Sequence, residues 1–176
     1  VAKGTVYKHF SSKDAIYAHL ALRFSRRCLE HYESMPDRDS PLEGIREVVR
    51  TAFVLMRQHP LEVQLGLHCD RPEFRNRLDA SVRRAFQELD AQYSDLFHRL
   101  VEASVAAGEI PRKPLEPLYW GVDASFQGVM VRIAAGGIGL EREQSPTLET
   151  YCNHVADFII AGLQGRFPRT GPEVSP

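Results

Sequence analysis

Long apolar runs are missing from this 176-residue sequence, and so are the short motifs of common enzymes. A membrane-spanning helix needs about 18 or more consecutive apolar residues, and no such run occurs. The sequence has no glycine-rich phosphate loop, no G-x-S-x-G nucleophile motif, no H-E-x-x-H zinc motif and no spaced carboxylate pair of the kind used in acid–base catalysis. We therefore expect neither a membrane protein nor an enzyme.

Cysteine is scarce and follows no pattern. The three cysteines, Cys28, Cys69 and Cys152, lie far apart, and no two have C-x-x-C spacing. This is typical of reduced thiols in a cytosolic protein and not of a disulfide framework. His68 and Asp70 flank Cys69, but adjacent side chains point in different directions and no spaced partners follow. We expect no metal, no cofactor and a cytoplasmic location.

The alternation of apolar and polar residues that marks β-strands is also absent. Apolar residues instead recur every three or four positions, which predicts helices. The 43% apolar and 26% charged fractions are ordinary for a soluble globular domain. Helix-start signals, a capping residue followed by Pro or an acidic residue, stand at four places. The predicted helices cover approximately residues 2–9, 12–34, 41–58, 61–68, 71–107, 115–135 and 146–166, with a kink in the fifth as an open alternative.

Charge is distributed unevenly along the chain. The net charge is −1, but residues 1–30 carry six lysines and arginines against Asp14 and Glu30. A basic end on an acidic body is expected of an N-terminal element that binds an anion. Because the chain begins at Val1 and not at Met, we expect it to be a fragment of a longer protein.

The first fourteen residues, V-A-K-G-T-V-Y-K-H-F-S-S-K-D, form a short basic segment suited to DNA. Lysine and threonine at the leading end of a short helix can meet base edges in the major groove. Glycine permits close approach, while tyrosine, histidine and a lysine in the next helix can hold phosphates. An amphipathic helix with solvated lysines is the alternative. The candidate DNA-binding residues are Lys3, Gly4, Thr5, Tyr7, Lys8, His9 and Lys13.

The order T-V-Y-x-H-F-x-S-K in this segment resembles the second half of the helix-turn-helix of TetR-family transcriptional repressors. The resemblance covers residues 1–20, and the order of about six downstream helices is similar to the family. It implies an all-α fold in which residues 1–12 are the C-terminal half of a helix-turn-helix. Residues 13–167 would form a multi-helix effector-binding and dimerisation body, and residues 168–176 a disordered tail.

The resemblance also implies a pocket among the middle helices for a small-molecule effector, which we expect to be hydrophobic or aromatic. Such pockets are apolar with a few polar groups. Asp123 and Gln127 share a face of the most apolar helix and therefore need a partner, a ligand or an exposed edge. For each apolar candidate, simple core filling is the alternative. The candidate pocket residues are Phe53, Met56, Leu65, Phe86, Tyr93, Phe97, Trp120, Asp123, Phe126, Gln127 and Met130.

The last two predicted helices resemble the pair that forms a four-helix dimer interface in the family. The final helix has two apolar stripes, which suggests one partner inside the protomer and one outside. The candidate interface residues are Val129, Ile133, Tyr151, Val155, Phe158, Ile159 and Gly162.

Together these features predict a homodimeric, ligand-responsive repressor that binds a palindromic double-stranded DNA operator. The alternatives are a helical small-molecule-binding dimer that does not bind DNA, and a helical enzyme.

Overall fold

The structure, a computed structural model, describes residue 10 and residues 12–112, 115–137 and 146–165. Within these ranges the chain is all-helical and contains no strand, which confirms the predicted fold class. No helix among them is long and apolar enough to cross a bilayer. The seven helices of these ranges are α1 (Lys13–Glu33), α2 (Pro41–Gln58), α3 (Pro60–Cys69), α4 (Pro72–Arg77), α5 (Ala80–Ala106), α6 (Leu115–Ala134) and α7 (Leu148–Leu163).

Two of the predicted helix starts are confirmed by side-chain caps. The hydroxyl of Ser12 accepts a hydrogen bond from the backbone N–H of Ala15 at 3.0 Å, at the start of α1. The hydroxyl of Ser40 accepts from the N–H of Glu43 at 3.1 Å, with Pro41 in the first position of α2. Such a cap stabilises a helix by about 1 kcal/mol because the first N–H groups have no partner within the helix.

The prediction of one helix over residues 71–107 is wrong, because α4 and α5 are separate. Leu78 and Asp79 are both extended, with ψ angles of 151°. The extended backbone turns the Leu78 side chain into the core, where it is 4% exposed, and the Leu78 carbonyl accepts a hydrogen bond from the guanidinium of Arg83. Apolar residues continue across the break because α4 and α5 bury side chains in the same cluster.

Two other helix boundaries also differ from the prediction. Asp70 does not cap α4 but ends α3, and its carboxylate pairs with Arg75. The last helix begins at Leu148 and not at Pro146, because the hydroxyl of Thr147 accepts from the N–H of Thr150 at 3.1 Å.

The core consists of two clusters of buried side chains. One joins α2, the end of α5, α6 and α7, around residues such as Phe53, Val101 and Ile160. The other joins α1, α3, α4 and the first half of α5, around residues such as Cys69 and Phe74. Burying one large apolar side chain stabilises the fold by about 1.5–3 kcal/mol. The line along which the two clusters meet holds the main cavity of the described part of the protein.

The turn after α5 is hydrogen-bonded to the start of α2. Gly108 ends α5 with a φ of 74°, a conformation that L side chains rarely adopt. The next residue, Glu109, accepts a hydrogen bond through its carboxylate from the N–H of Leu42 at 2.8 Å. A carboxylate at a helix N-terminus is favourable because of the unpaired N–H groups there.

Candidate functional site

A cavity of about 780 Å³ lies between the two clusters, and side chains from all seven helices line it. Its wall is largely apolar. The apolar lining residues are Ala21, Phe24, Ile45, Val48, Val49, Ala52, Met56, Val63, Gly66, Pro72, Leu96, Phe97, Leu100, Val122, Phe126, Met130, Ile159 and Leu163. A cavity of this size and character can enclose a small organic molecule.

Seven of the eleven candidate pocket residues line this cavity. They are Met56, Tyr93, Phe97, Asp123, Phe126, Gln127 and Met130. All seven lie on α2, α5 or α6, so those helices present the predicted faces to the cavity.

The other four candidates lie elsewhere. Phe53 is 1% exposed and supports the wall from behind, with its ring 4.9 Å from that of Phe126. Phe86 lies beneath the guanidinium of Arg75, and Leu65 packs against the second cluster. Trp120 is 66% exposed, because it lies on the side of α6 that faces away from the core.

Tyrosine hydroxyls and a thiol on α1 and α5, which stay protonated, form one part of the cavity wall. The Tyr93 hydroxyl donates a hydrogen bond to the carbonyl oxygen of Ser25 at 2.7 Å, which joins the two helices. Burial raises the pKa of Tyr32, Tyr93 and Cys28 above their ordinary values. These hydroxyls and this thiol therefore stay protonated at neutral pH and are poor nucleophiles. The sequence did not indicate Cys28 and Tyr32, because they continue an ordinary helical stripe.

A further part of the cavity wall, which we term the acidic end, is formed by Asp70, Arg75, Asp90, Tyr119 and Asp123. The Arg75 guanidinium donates to the Asp70 carboxylate and to the Cys69 carbonyl oxygen, both at 2.7 Å. Its carbon atom lies 3.6 Å from the centre of the Phe86 ring, and its Nη1 atom is 3.9 Å from the Asp90 carboxylate. Arg75 is therefore fixed from several sides.

Tyr119 is the phenol on which two carboxylates of the acidic end act, those of Asp90 and Asp123. Its ring lies edge-on to Phe97 at 5.4 Å and parallel to His98 at 6.4 Å. Burial raises the pKa of Tyr119, and the negative charges of Asp123 and Asp90 raise it further. Both carboxylates therefore act on the same phenol. Sequence patterns did not indicate Asp90 or Tyr119, because they belong to different helices that meet only in the fold.

The cavity wall is continuous with the contacts that hold the start of α1. The ring of Tyr17 is 5.9 Å from His68, and the ring of Phe24 is 5.3 Å from His59, so both ends of α3 pack on α1. At the same end of α1, Phe10 is half-buried, with its ring 5.4 Å from His19. The helices that line the cavity thus also position the point where the N-terminal segment enters the body.

Most of the candidate DNA-binding residues lie outside the described residues: Lys3, Gly4, Thr5, Tyr7, Lys8 and His9. Lys13 is described, and it is exposed in the first turn of α1. Its ammonium group lies 5.2 Å from the centre of the Tyr17 ring. Lys13 therefore faces solvent beside the residue that packs on α3.

Three of the seven candidate interface residues are unavailable to a partner, which corrects that expectation. Val129, Ile133 and Ile159 are at most 4% exposed and belong to the first cluster. Tyr151, Val155 and Gly162 are partly exposed. Phe158 is 57% exposed.

Apolar and small residues on the exposed sides of α6 and α7 make up a set that we term the α6–α7 outer face. Its residues are Trp120, Gly121, Ala124, Gly128, Val131 and Phe158. The members from 121 to 131 recur at spacings of three and four, the pattern of a helix–helix seam. A Cβ placed on Gly121 or Gly128 would meet no atom within 4 Å, so both glycines face open space. The same spacing is visible in the sequence, but the α6 residues predicted at the interface, Val129 and Ile133, lie on the buried side of the helix.

In the part of the chain that the structure describes, no three His, Cys, Asp or Glu side chains form a group that could hold a metal ion.

Sequence comparison finds no matching protein-family model and no matching curated protein. Comparison of structures does find similar folds. A bacterial regulatory protein in the tetR family from Rhodococcus RHA1 superposes with a TM-score of 0.65 at 12% identity, covering 93% of this chain and 80% of that one. The TetR family transcriptional regulator PfmR from Thermus thermophilus gives a TM-score of 0.64 at 17% identity, covering 93% and 83%. The fold is thus that of TetR-family transcriptional regulators, and the resemblance inferred from the sequence is confirmed at the level of the fold.

Proposed function

We propose that this protein is a ligand-responsive, DNA-binding transcriptional regulator that acts as a homodimeric repressor. The observation that carries the proposal is the likeness of nearly the whole chain to the fold of two regulators. The basic N-terminal segment and the enclosed cavity support it independently, because they are the two parts such a regulator requires.

In this proposal the N-terminal segment contacts DNA. Lys3, Thr5 and Lys8 meet base edges, and Gly4 allows the close approach. Tyr7, His9 and Lys13 hold the phosphate backbone, which positions the segment without reading sequence. The exposure of Lys13 in the first turn of α1 is consistent with a phosphate contact beside a helix N-terminus.

The dimer forms through the α6–α7 outer face. Trp120, Val131 and Phe158 expose large apolar surfaces, which monomeric soluble proteins rarely cluster on one side. Gly121 and Gly128 allow two helices to approach closely at the centre of that face. A two-fold axis through it would place two N-terminal segments on the two halves of a palindromic site.

The cavity is the effector site, and the protein is a binding protein and not an enzyme. Among the groups in the cavity wall that could act as nucleophiles, Cys28, Tyr32, Tyr93 and Tyr119 have pKa values raised by burial. An effector would favour one arrangement of α3 and α4 against α1, and so change the separation of the two N-terminal segments. The effector must bind the two arrangements with different affinities for this to regulate DNA binding.

Selection from a randomised duplex DNA library, using the full-length gene product, tests this proposal. We expect enrichment of a palindrome whose half-sites lie about one helical turn apart. Fluorescence anisotropy of the selected duplex should then show affinity falling steeply as salt rises, because phosphate contacts release counterions. Failure to enrich a palindrome, together with affinity that does not change with salt, would refute the DNA-binding role.

A helical small-molecule-binding dimer without DNA binding is the second candidate. It is favoured by one observation: among the described residues, those that line the cavity lie between positions 21 and 163, which is the helical body and not the basic N-terminal segment. The same selection separates the two functions, because only the regulator enriches a duplex.

A further inference from the structure

The ionised side chains that line the cavity are unequal in sign. Among the described residues, four carboxylates, those of Glu62, Asp70, Asp90 and Asp123, face one guanidinium, that of Arg75. The Asp70 charge helps to raise the pKa of the Asp90 carboxyl, so these two carboxylates repel each other, although both residues are exposed and water screens part of the effect. A bound positive charge would relieve this repulsion, and a bound negative charge would add to it.

The Arg75 guanidinium is already occupied. It donates to Asp70 and to the Cys69 carbonyl, and its planar group lies on the Phe86 ring. Only Nη1 approaches Asp90, at 3.9 Å, which is beyond hydrogen-bond distance. The positive charge of Arg75 therefore pairs closely with Asp70 and compensates the charge of Asp90 only in part.

Asp123 is not compensated either. It forms no hydrogen bond and no ion pair with any residue in the described ranges, whereas its carboxylate acts on the Tyr119 phenol together with that of Asp90. Asp90 and Asp123 come from α5 and α6, and the negative charge of each acts on the Tyr119 phenol. The Asp90 side chain is 67% exposed, which places this pair of carboxylates where the cavity opens to solvent.

Aromatic rings continue from this pair of carboxylates into the cavity. Tyr119 and Phe97 meet edge to face at 5.4 Å, and Phe126 and Tyr93 line the wall beyond them. The face of an aromatic ring attracts a cation, because the ring's quadrupole places negative charge there. Carboxylates at the opening and ring faces within it both favour the same kind of ligand.

We propose that the effector of this cavity is an organic cation, with an apolar or aromatic body and a single amine, quaternary ammonium or phosphonium group. The body fills the apolar space between α2 and α6. The positive charge lies at the acidic end, between Asp90 and Asp123 and beside Tyr119. This inference rests on the proposed function, because it takes the cavity to be the effector site.

Three probes of similar shape and different charge test the proposal by isothermal titration calorimetry. They are tetraphenylphosphonium, a cation; triphenylphosphine oxide, which is neutral; and tetraphenylborate, an anion. We expect the cation to bind at least about tenfold more tightly than the neutral probe, and the anion to bind more weakly than either. Equal affinity for the cation and the neutral probe, or tighter binding of the anion, would overturn the proposal.

Isosteric substitution then identifies the carboxylates responsible. The double variant Asp90→Asn, Asp123→Asn should lose roughly tenfold in affinity for tetraphenylphosphonium and keep its affinity for triphenylphosphine oxide. The matched control is Asp95→Asn, which removes an exposed carboxylate from the same helix as Asp90 but outside this cavity. Equal losses for the cation and the neutral probe would mean a structural effect, and the proposal would be wrong.

A cavity-filling variant separates the ligand class from the site itself. Met130→Trp adds volume inside the cavity and should weaken binding of every probe. If it fails to fold, Gly66→Leu serves instead, because a Cβ at Gly66 meets only the end of Met130 at 3.8 Å. Suppose that the unsubstituted protein binds the neutral probe as tightly as the cation, and that the variant abolishes this binding. The ligand class is then refuted, but the cavity remains the effector site. If none of the probes binds the unsubstituted protein, both the ligand class and the effector site are refuted.

Discussion

The guanidinium of Arg77, at the end of α4, donates through Nε to the Asp14 carboxylate, in the first turn of α1, at 2.8 Å. The same short helix carries Arg75, which lies at the acidic end of the cavity. A change at the cavity and a change at the start of α1 therefore act on one six-residue helix. In the proposed regulation, the Arg77–Asp14 ion pair therefore links the cavity to the start of α1.

Replacing Arg77 with Ala should loosen the start of α1 with little loss of global stability. The Arg77 side chain is 56% exposed, and ion pairs of this kind contribute about 0.2–1 kcal/mol. Hydrogen exchange should become faster for the first-turn amides of α1 and stay unchanged at its centre. Arg99→Ala is the matched control, because Arg99 pairs with Glu33 at the opposite end of α1 at 3.2 Å. Faster exchange at the start of α1 in both variants would argue against a local role for Arg77.

Replacing Phe53 with Ala should lower the free energy of unfolding by about 3–5 kcal/mol, because it removes a 1%-exposed ring from a packed cluster. Urea denaturation followed by circular dichroism measures the loss. The neighbouring Val54 is 41% exposed, and Val54→Ala should change stability by less than about 0.5 kcal/mol. Similar effects of the two substitutions would contradict the assignment of Phe53 to the supporting wall.

Replacing Phe158 with Asp should shift the protein from dimer to monomer, because a charge would be buried without a partner at the α6–α7 outer face. Sedimentation velocity at several protein concentrations measures the change. The control is Leu61→Asp, which places the same charge at a 73%-exposed leucine on α3. A variant at Phe158 that dimerises as tightly as the control would show that this face is not the interface.

Replacing Asp90 with Asn should raise the melting temperature slightly at neutral pH. Burial raises the pKa of Asp90 above its ordinary value of 3.8, with Arg75 opposing and Asp70 adding to the rise. The folded protein therefore binds this proton more tightly than the unfolded chain does, so the ionised carboxylate destabilises the fold above its folded pKa. The penalty disappears as the pH falls below 3.8, and so should the difference between variant and parent. Thermal melts over the acidic range measure this, and a difference that grows on acidification would reverse the assigned sign.

Local signals predicted the helices well, because a cap depends on residues within one turn of each other. Ser12 and Ser40 illustrate this. The break at Leu78 was not predictable from periodicity, since the residues on both sides bury into one cluster. Its cause is the burial of Leu78 itself and a hydrogen bond from Arg83 to its carbonyl, neither of which a pattern of apolar positions contains.

The candidate site was predictable in part for the same reason. Residues on one helix face, such as Phe126 and Met130, follow from spacing along α6. The acidic end does not, because Asp90 and Asp123 come from helices that meet only after folding. Likewise, the two stripes of a helix do not reveal which one faces inward: Ile159, from one stripe, is buried, whereas Phe158, from the other, is 57% exposed.

The position of the cavity along the line where two separate clusters meet has a consequence for how this protein can diversify. Leu100 and Phe126 pack against both clusters, whereas most buried residues belong to one of them. Substitutions at lining residues that are only partly buried, such as Phe97 and Met130, can therefore reshape the cavity while the buried residues of each cluster keep their packing. A few substitutions along this line could therefore change the ligand specificity of the cavity and leave the rest of the fold unchanged.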